Sequence, residues 1–105
     1  MSEISATQLD QLRKTSHPHF LLDVREADEV QAAAIDGAVH IPMTQVAGRV
    51  HELPRDTELI VMCHHGQRSQ RVAKLLQKSG FSNVKNLIGG INAWSSEVDP
   101  SVPTY

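Results

Sequence analysis

Continuous runs of apolar residues, rather than alternating ones, mark the predicted strands of this chain. Residues 20–24 and 58–62 each read as a buried strand, and shorter strands are predicted at 39–41 and 84–87. A strand with apolar residues on both faces is typical of a parallel sheet that is covered by helices on both sides. The pattern therefore favours a fully covered sheet over half-exposed hairpins.

Helical periodicity fills the segments between these strands. Residues 5–8 form a capping box that starts a first helix, which is predicted to end near residues 14–16. In a later segment the apolar residues Val72, Leu75 and Leu76 share one predicted helical stripe. The helices after the first are predicted over 26–34, 42–53, 69–79 and 91–96.

Strands that alternate with helices predict an α/β domain with a central, mostly parallel β-sheet flanked by helices on both faces. In such domains ligands bind beyond the carboxyl ends of the strands. At 105 residues the chain is predicted to be one domain, residues 1–105, with an irregular C-terminal tail at 99–105.

Composition and charge narrow the expected location and partners. The formal net charge of −2 gives no general argument for binding nucleic acid or a membrane surface, so we predict neither. The N-terminus lacks the charged start and apolar stretch of a secretion signal, and no apolar run is long enough to span a bilayer. We therefore expect a cytoplasmic protein, and its single cysteine excludes an internal disulfide.

Cys63 lies where a nucleophile would be expected. It closes the apolar run 59–62 and opens the polar segment 63–69, directly before a predicted helix. The free N–H groups and the dipole at a helix N-terminus favour an anion and lower the pKa of a cysteine there. The alternative is a small buried hydrophobic residue, since free cysteine is often buried. The glycine-containing polar loop favours the nucleophile.

The loop Cys-His-His-Gly-Gln-Arg-Ser at 63–69 resembles the active-site loop of rhodanese-type sulfurtransferases. Residues 21–26 look like the "DVR" signature of that family, residues 35–42 like its "G-A-x-x-I-P" segment, and residues 89–94 like its closing "GG-x-x-x-W". These motifs follow the order of the family and span nearly the whole chain. The chain is therefore identified as resembling a single-domain, rhodanese-like thiosulfate sulfurtransferase.

Loop length separates sulfur transfer from phosphate chemistry within this resemblance. Related cysteine phosphatases need an arginine six positions after the nucleophile, to close a ring around a tetrahedral phosphate. Here Arg68 is five positions after Cys63, and the sixth is Ser69. The shorter loop is similar to that of the sulfurtransferases, so arsenate reduction and phosphatase activity are the less favoured alternatives.

The resemblance implies a double displacement. Cys63 would take the outer sulfur of a small anionic donor such as thiosulfate, release sulfite and become a persulfide. A second nucleophile would then remove the sulfur. Cyanide is the usual acceptor in assays of the family, and a thiol or a reduced thioredoxin-like protein is the expected acceptor in the cell. The resemblance implies no metal and no organic cofactor.

Within the loop, Cys63 is the expected catalytic residue, and the following residues are expected to bind the substrate. Arg68 would bind the sulfonate of thiosulfate and lower the pKa of the thiol. The positions implied for substrate binding are His64, His65, Gly66, Gln67, Arg68 and Ser69.

Individual contributions are expected from five of these positions. At most one of His64 and His65 is expected to line the pocket, because adjacent side chains seldom point the same way. Gly66 is expected to supply a positive φ or a close approach to substrate. Gln67 and Ser69 would contribute backbone N–H groups, with Ser69 also a candidate helix cap.

Two charged residues outside the loop are expected to support it. The resemblance places Asp23 and Arg25 beside the loop as structural residues, with Arg25 paired to a carboxylate such as Asp23 or Glu26. Loss of Arg25 should therefore harm stability more than chemistry. Trp94 is expected to pack the last helix against the sheet.

Two alternative hypotheses assign the chain a different class of function. The first is a regulatory or protein-binding module that keeps the fold without catalysis. The second is a metal site formed by Cys63, His64 and His65 with His17 and His19. The metal site is disfavoured because three adjacent side chains cannot easily face one ion and no second cysteine completes a zinc spacing.

Overall fold

The computed structural model describes residues 2–105 of the chain. Its single sheet has five strands in the spatial order β1-β5-β4-β2-β3, and every neighbouring pair is parallel. The strands are β1 (Ser2–Ile4), β2 (His19–Asp23), β3 (Val39–His40), β4 (Glu58–Met62) and β5 (Val84–Leu87). The helices are α1 (Ala6–Lys14), α2 (Ala27–Ala32), α3 (Gln67–Lys78) and α4 (Gly90–Glu97), with 3₁₀ turns at Met43–Gln45 and Ala47–Glu52.

The apolar strand residues supply two cores, one on each face of the sheet. Leu59 and Val61 of β4 pack in one core, which is covered by residues of α3. Ile60 and Met62 pack in the other, which is covered by residues of α1 and α4 that include Trp94. Because side chains alternate along a strand, an unbroken apolar run fills both cores at once. The predicted α/β class with helices on both faces is confirmed.

The register of the central strands sets the position of the loop after β4. Asp23 at the end of β2 pairs with Met62 at the end of β4, so the two strands end level. The backbone N–H of Val24 donates to the carbonyl of Met62 at 3.1 Å, which extends this pairing by one step. As a result Cys63 and Arg25 follow their strands at the same edge of the sheet.

The structure differs from the sequence predictions in several places. The segment 42–53 forms 3₁₀ turns with a kink at Arg49, where φ is −125°, rather than one α-helix. Strand β1 was not predicted, because of its residues only Ile4 is buried and the strand is held by backbone pairing to β5. Leu75 of the predicted apolar stripe is exposed at 36%.

Helix α2 is shorter than the predicted 26–34. Its end is set by Arg25, whose guanidinium donates to the carbonyl of Glu29 at 3.2 Å and to that of Ala33 at 2.8 Å. Ala33 is extended, with φ of −161°, and is buried together with Ile35. The alanine run favours a helix, but burial of Ala33 and Ile35 and the contact to Arg25 end it.

Two features are absent from residues 2–105. No helix there has the length and apolar character needed to cross a membrane. In the same residues, no three or more His, Cys, Asp or Glu side chains are grouped so that they could hold a metal ion.

Candidate active site

The loop after β4 turns sharply into α3 through Gly66. This residue has φ of 107° and forms the N-cap of α3. A Cβ at this position would lie 3.4 Å from the backbone N of Gly89 and 3.4 Å from the carbonyl O of Leu87. The positive φ favours glycine here, whereas a Cβ would only be in ordinary van der Waals contact with this backbone. The backbone conformation expected from the sequence is therefore present.

The carbonyl groups of the loop are turned toward α4. The backbone N–H of Ile91 donates to the carbonyl of Cys63 at 2.9 Å, and that of Asn92 donates to the carbonyl of His64 at 3.1 Å. Gly90 permits this contact, since a Cβ there would lie 2.3 Å from the carbonyl O of Cys63. Backbone N–H groups of α4 thus hold the first two residues of the loop in place.

The sulfur of Cys63 lies among hydrogen-bond donors at the N-terminus of α3. The residue is buried, and its Sγ accepts from the backbone N–H of Gly66 at 3.0 Å. Burial raises the pKa of the Cys63 thiol, but the hydroxyl of Ser69 and the backbone N–H groups of Ser69, Gly66 and Arg68 outweigh it. The pKa is therefore lowered on balance, which favours the nucleophilic thiolate.

Ser69 connects the sulfur to the sheet. Its Oγ lies 3.4 Å from Sγ of Cys63, and its hydroxyl also donates to Oδ1 of Asn86 on β5. The amide of Asn86 in turn donates to the carbonyl of Gly66 at 3.2 Å. The helix begins at Gln67 and has no side-chain cap, so the prediction that Ser69 caps it is wrong. Instead of capping the helix, the buried hydroxyl of Ser69 faces the sulfur of Cys63.

Arg68 makes a two-pronged ion pair with Glu29 of α2. Its Nη1 and Nη2 lie 2.6 Å and 2.8 Å from the two carboxylate oxygens. The hydroxyl of Tyr105 donates to the same carboxylate at 2.9 Å. Hydrogen bonding to Arg68 lowers the pKa of Glu29 to about 2, and hydrogen bonding to Glu29 raises the pKa of Arg68. Both groups are thus charged at neutral pH.

The two loop histidines lie in different environments. His64 is half-buried and stacks on the ring of Tyr105, with ring centroids 3.9 Å apart and planes inclined by 7°. Its buried Nε2 has no hydrogen-bond partner among residues 2–105, and its pKa is lowered, first by burial and then by His65. His65 is exposed, as is Gln67. The ring of His65 also lies against that of His64, with centroids 3.9 Å apart, so the two histidines differ in burial and in the contact of His64 with Tyr105.

Asp23 and Arg25 form a buried ion pair beside the loop. Their side chains are 2% and 0% exposed, and Arg25 Nη2 lies 2.6 Å from Asp23 Oδ2. Burial lowers the pKa of Arg25, but the hydrogen bonds that Arg25 donates to Asp23 and Tyr105 outweigh this and raise it. Of the two carboxylates considered from the sequence, Asp23 is the partner, and Glu26 is exposed.

The residues of the alternative metal site lie at opposite ends of the strands. His19 begins β2, and the ring of His17 lies 3.3 Å from Glu58 at the start of β4. Cys63 follows the other end of β4. The fold therefore separates the two halves of that site.

Three residues at the site were not singled out from the sequence: Glu29, Asn86 and Tyr105. Asn86 carried a usable signal, because it is a buried polar residue in an otherwise largely apolar strand. Glu29 also carried one, since its carboxylate accepts from the backbone N–H of Glu26 at 3.1 Å, as an acidic residue in a first helical turn can. Tyr105 carried no such signal, because nothing in the sequence of the C-terminal tail indicates that it folds back against the site.

Comparison with known proteins identifies the family that this chain matches. The sequence model of the Rhodanese-like domain family matches residues 5–97. The chain is 35% identical over 111 residues to adenylyltransferase and sulfurtransferase MOCS3-2 of Zea mays, with 99% of this chain covered but only 23% of that protein. It is 37% identical to YtwF of Bacillus subtilis, whose name proposes a sulfurtransferase, with 95% of this chain and 96% of that protein covered.

A solved structure gives the same likeness at the level of the fold. The rhodanese-like domain protein of Staphylococcus aureus superposes with a TM-score of 0.87 at 26% identity, covering 100% of this chain and 99% of that one. The chain spans about a quarter of the length of the maize relative.

Proposed function

The chain belongs to the rhodanese-like domain family, and from that membership and the loop geometry we propose that it is a sulfurtransferase that carries sulfane sulfur as a persulfide on Cys63. The observation that carries the proposal is the position of Sγ. It lies at a helix N-terminus, 3.0 Å from the backbone N of Gly66, with the Ser69 hydroxyl 3.4 Å away. The names of the maize and Bacillus relatives support sulfur transfer in general.

In the first step the Cys63 thiolate attacks the terminal sulfur of a donor. With thiosulfate, a new S–S bond forms to Cys63, the S–S bond of the donor breaks, and its electron pair leaves with sulfite. The single negative charge of the thiolate passes to the outer sulfur of the persulfide. The backbone N–H groups that surround Sγ would stabilise this charge, as donors of an oxyanion hole do.

In the second step an acceptor attacks the outer sulfur and releases the Cys63 thiolate. Cyanide would leave as thiocyanate, and a thiolate would leave as a new persulfide. Thiosulfate with cyanide is the assay pair proposed here, and a thiol or a reduced thioredoxin-like protein is the proposed cellular acceptor. Neither step consumes an external electron donor, because each S–S bond broken is matched by a bond formed.

Intact mass spectrometry tests the proposal directly. After incubation with thiosulfate or with a thiol persulfide, the protein should gain about 32 Da, the mass of one sulfur atom, and lose it again with cyanide. Cys63→Ser is the control, since it keeps the size and polarity of the side chain but should gain nothing. Absence of the gain with both donors would contradict the proposal and favour a non-catalytic binding module.

A further inference from the structure

The positive charge of the loop is already engaged by a carboxylate. Arg68 was expected from the sequence to bind the sulfonate of thiosulfate, yet both of its terminal nitrogens are bonded to Glu29, at 2.6 Å and 2.8 Å. A sulfonate would use the same forked geometry, because planar guanidinium binds paired oxygens of carboxylate, sulfonate and phosphate alike. Glu29 thus occupies the place that the anionic end of the donor would take.

The carboxylate of Glu29 is firmly held in that place. Its Oε1 also accepts from the backbone N–H of Glu26, and its Oε2 accepts from the hydroxyl of Tyr105. Its side chain is 17% exposed, so the pair is only partly screened by solvent. Because four donors bond its two oxygens, Glu29 does not leave Arg68 without losing several contacts.

The second ion pair beside the loop contributes no free charge either. Arg25 donates to Asp23 through Nε at 2.9 Å and through Nη2 at 2.6 Å. The buried guanidinium of Arg25 and the half-buried guanidinium of Arg68 are therefore each matched by a carboxylate. A dianion that approaches the Cys63 thiolate would meet two compensated pairs rather than a net positive charge.

We propose that Glu29 is a specificity-determining residue that competes with the anionic end of the donor for Arg68. The site then favours donors with a less charged leaving group, namely a persulfide carried on a thiol, over thiosulfate. This inference rests on the proposed sulfur transfer through Cys63.

The two donors differ in the charge that must be held near the sulfur. Transfer from thiosulfate releases sulfite, a dianion, and the dianion must be bound beside a thiolate before reaction. Transfer from a thiol persulfide, R–S–SH, forms the same S–S bond to Cys63 while the S–S bond of the donor breaks. The proton of the outer sulfur passes to the leaving sulfur, which departs as the neutral thiol R–SH. Only the first donor needs Arg68 to be freed from Glu29.

The test compares two glutamates that bind an arginine in the same forked way. Glu29→Gln removes the competing charge but keeps an oxygen for the backbone N–H of Glu26. Glu52→Gln is the matched control, because Glu52 bonds Nε and Nη2 of Arg49 at 2.8 Å and 2.9 Å on the exposed surface. In Glu29→Gln the ratio of kcat/KM for thiosulfate to kcat/KM for glutathione persulfide should rise on the order of tenfold, mainly through a lower KM for thiosulfate. In Glu52→Gln the ratio should stay unchanged.

A purely structural function of Glu29 predicts the opposite result. If the pair only holds the loop in shape, Glu29→Gln should raise KM for thiosulfate or lower kcat for both donors alike. Either outcome, or an unchanged ratio, would overturn the inference.

Binding measured without turnover separates this inference from the proposed function. Thiosulfate affinity is determined by calorimetry on Cys63→Ser and on Cys63→Ser with Glu29→Gln. Tighter binding in the double variant supports competition even if no persulfide ever forms on Cys63. Equal or weaker binding overturns it even if the wild-type protein transfers sulfur.

Discussion

The hydroxyl of Ser69 has one proton and two neighbours that can accept it. It donates to Asn86, and its oxygen lies 3.4 Å from Sγ of Cys63. An anionic sulfur is the stronger acceptor, so ionisation of Cys63 should turn the hydroxyl toward it. In its ionised form, Cys63 then gains a charge-assisted hydrogen bond that the thiol lacks.

Ser69→Ala should therefore raise the pKa of Cys63. Alkylation by iodoacetamide, followed against pH, should show a higher midpoint and a rate below the midpoint that falls about tenfold, the factor for about 1.4 kcal/mol. Ser79→Ala is the control on the same helix, since its Oγ donates to the carbonyl of Leu75 far from the sulfur. An unchanged midpoint in Ser69→Ala would assign the stabilisation of the thiolate to backbone N–H groups alone.

The loop residues could be found from the sequence because they are contiguous. Cys63, Gly66 and Arg68 follow one another between a strand and a helix, so their order alone brings them together. The partner of Arg68 could not be found in this way. Glu29 reaches Arg68 only because α2 lies at the same sheet edge, which depends on the strand order.

At the scale of elements, the short α2 depends on one buried side chain. Arg25 bonds Asp23 at the end of β2, the carbonyl of Glu29 within α2 and the carbonyl of Ala33 directly after it. Arg25 therefore joins the strand, the helix and the extended segment after it. Its position also explains why the alanine run does not continue as a helix.

Arg25→Met should lower the free energy of unfolding by about 3–5 kcal/mol, because it leaves Asp23 as an uncompensated buried charge. Urea denaturation of the variant measures this loss. Arg49→Met is the matched control, since its ion pair with Glu52 is exposed and screened by solvent and should contribute little to stability. A loss in Arg25→Met no larger than in the control would show that the buried pair contributes little net stability.

Elements with a clear pattern of apolar side chains were predicted well. Elements that are held in place by backbone hydrogen bonds were not. The strand predicted at 58–62 has the same bounds in the structure, because its five residues are all buried. Strand β1 has one buried residue and is joined to β5 by backbone pairing, which leaves no pattern in the side chains. The turns after residue 42 are likewise fixed by the backbone, through the bond from Met43 N–H to the carbonyl of Val24 at 3.0 Å.

At the scale of the whole molecule, the ion pair between Glu29 and Arg68 couples folding to pH. The pKa of Glu29 is about 2 in the folded protein, against 4.5 as its ordinary value. A carboxyl whose folded pKa is depressed contributes stability that is fully present above its unfolded pKa and is lost as the pH falls through the folded one. The contribution of Glu29 should therefore disappear between pH 4.5 and about pH 2.

Acid titration of stability in Glu29→Gln should show this loss. At pH 6 the variant should be less stable than the wild type by an amount on the order of 3 kcal/mol, and the difference should shrink toward zero near pH 2. Arg68→Met and the double variant complete a double-mutant cycle that isolates the interaction between the two side chains. Once one partner is absent, removal of the other should no longer change how the free energy of unfolding depends on acid pH. A difference that stayed constant between pH 6 and pH 2 would mean that Glu29 stabilises the fold through packing rather than charge. That result would also weaken the case that its charge competes with an anionic donor, because one ionised carboxylate on Arg68 accounts for both effects.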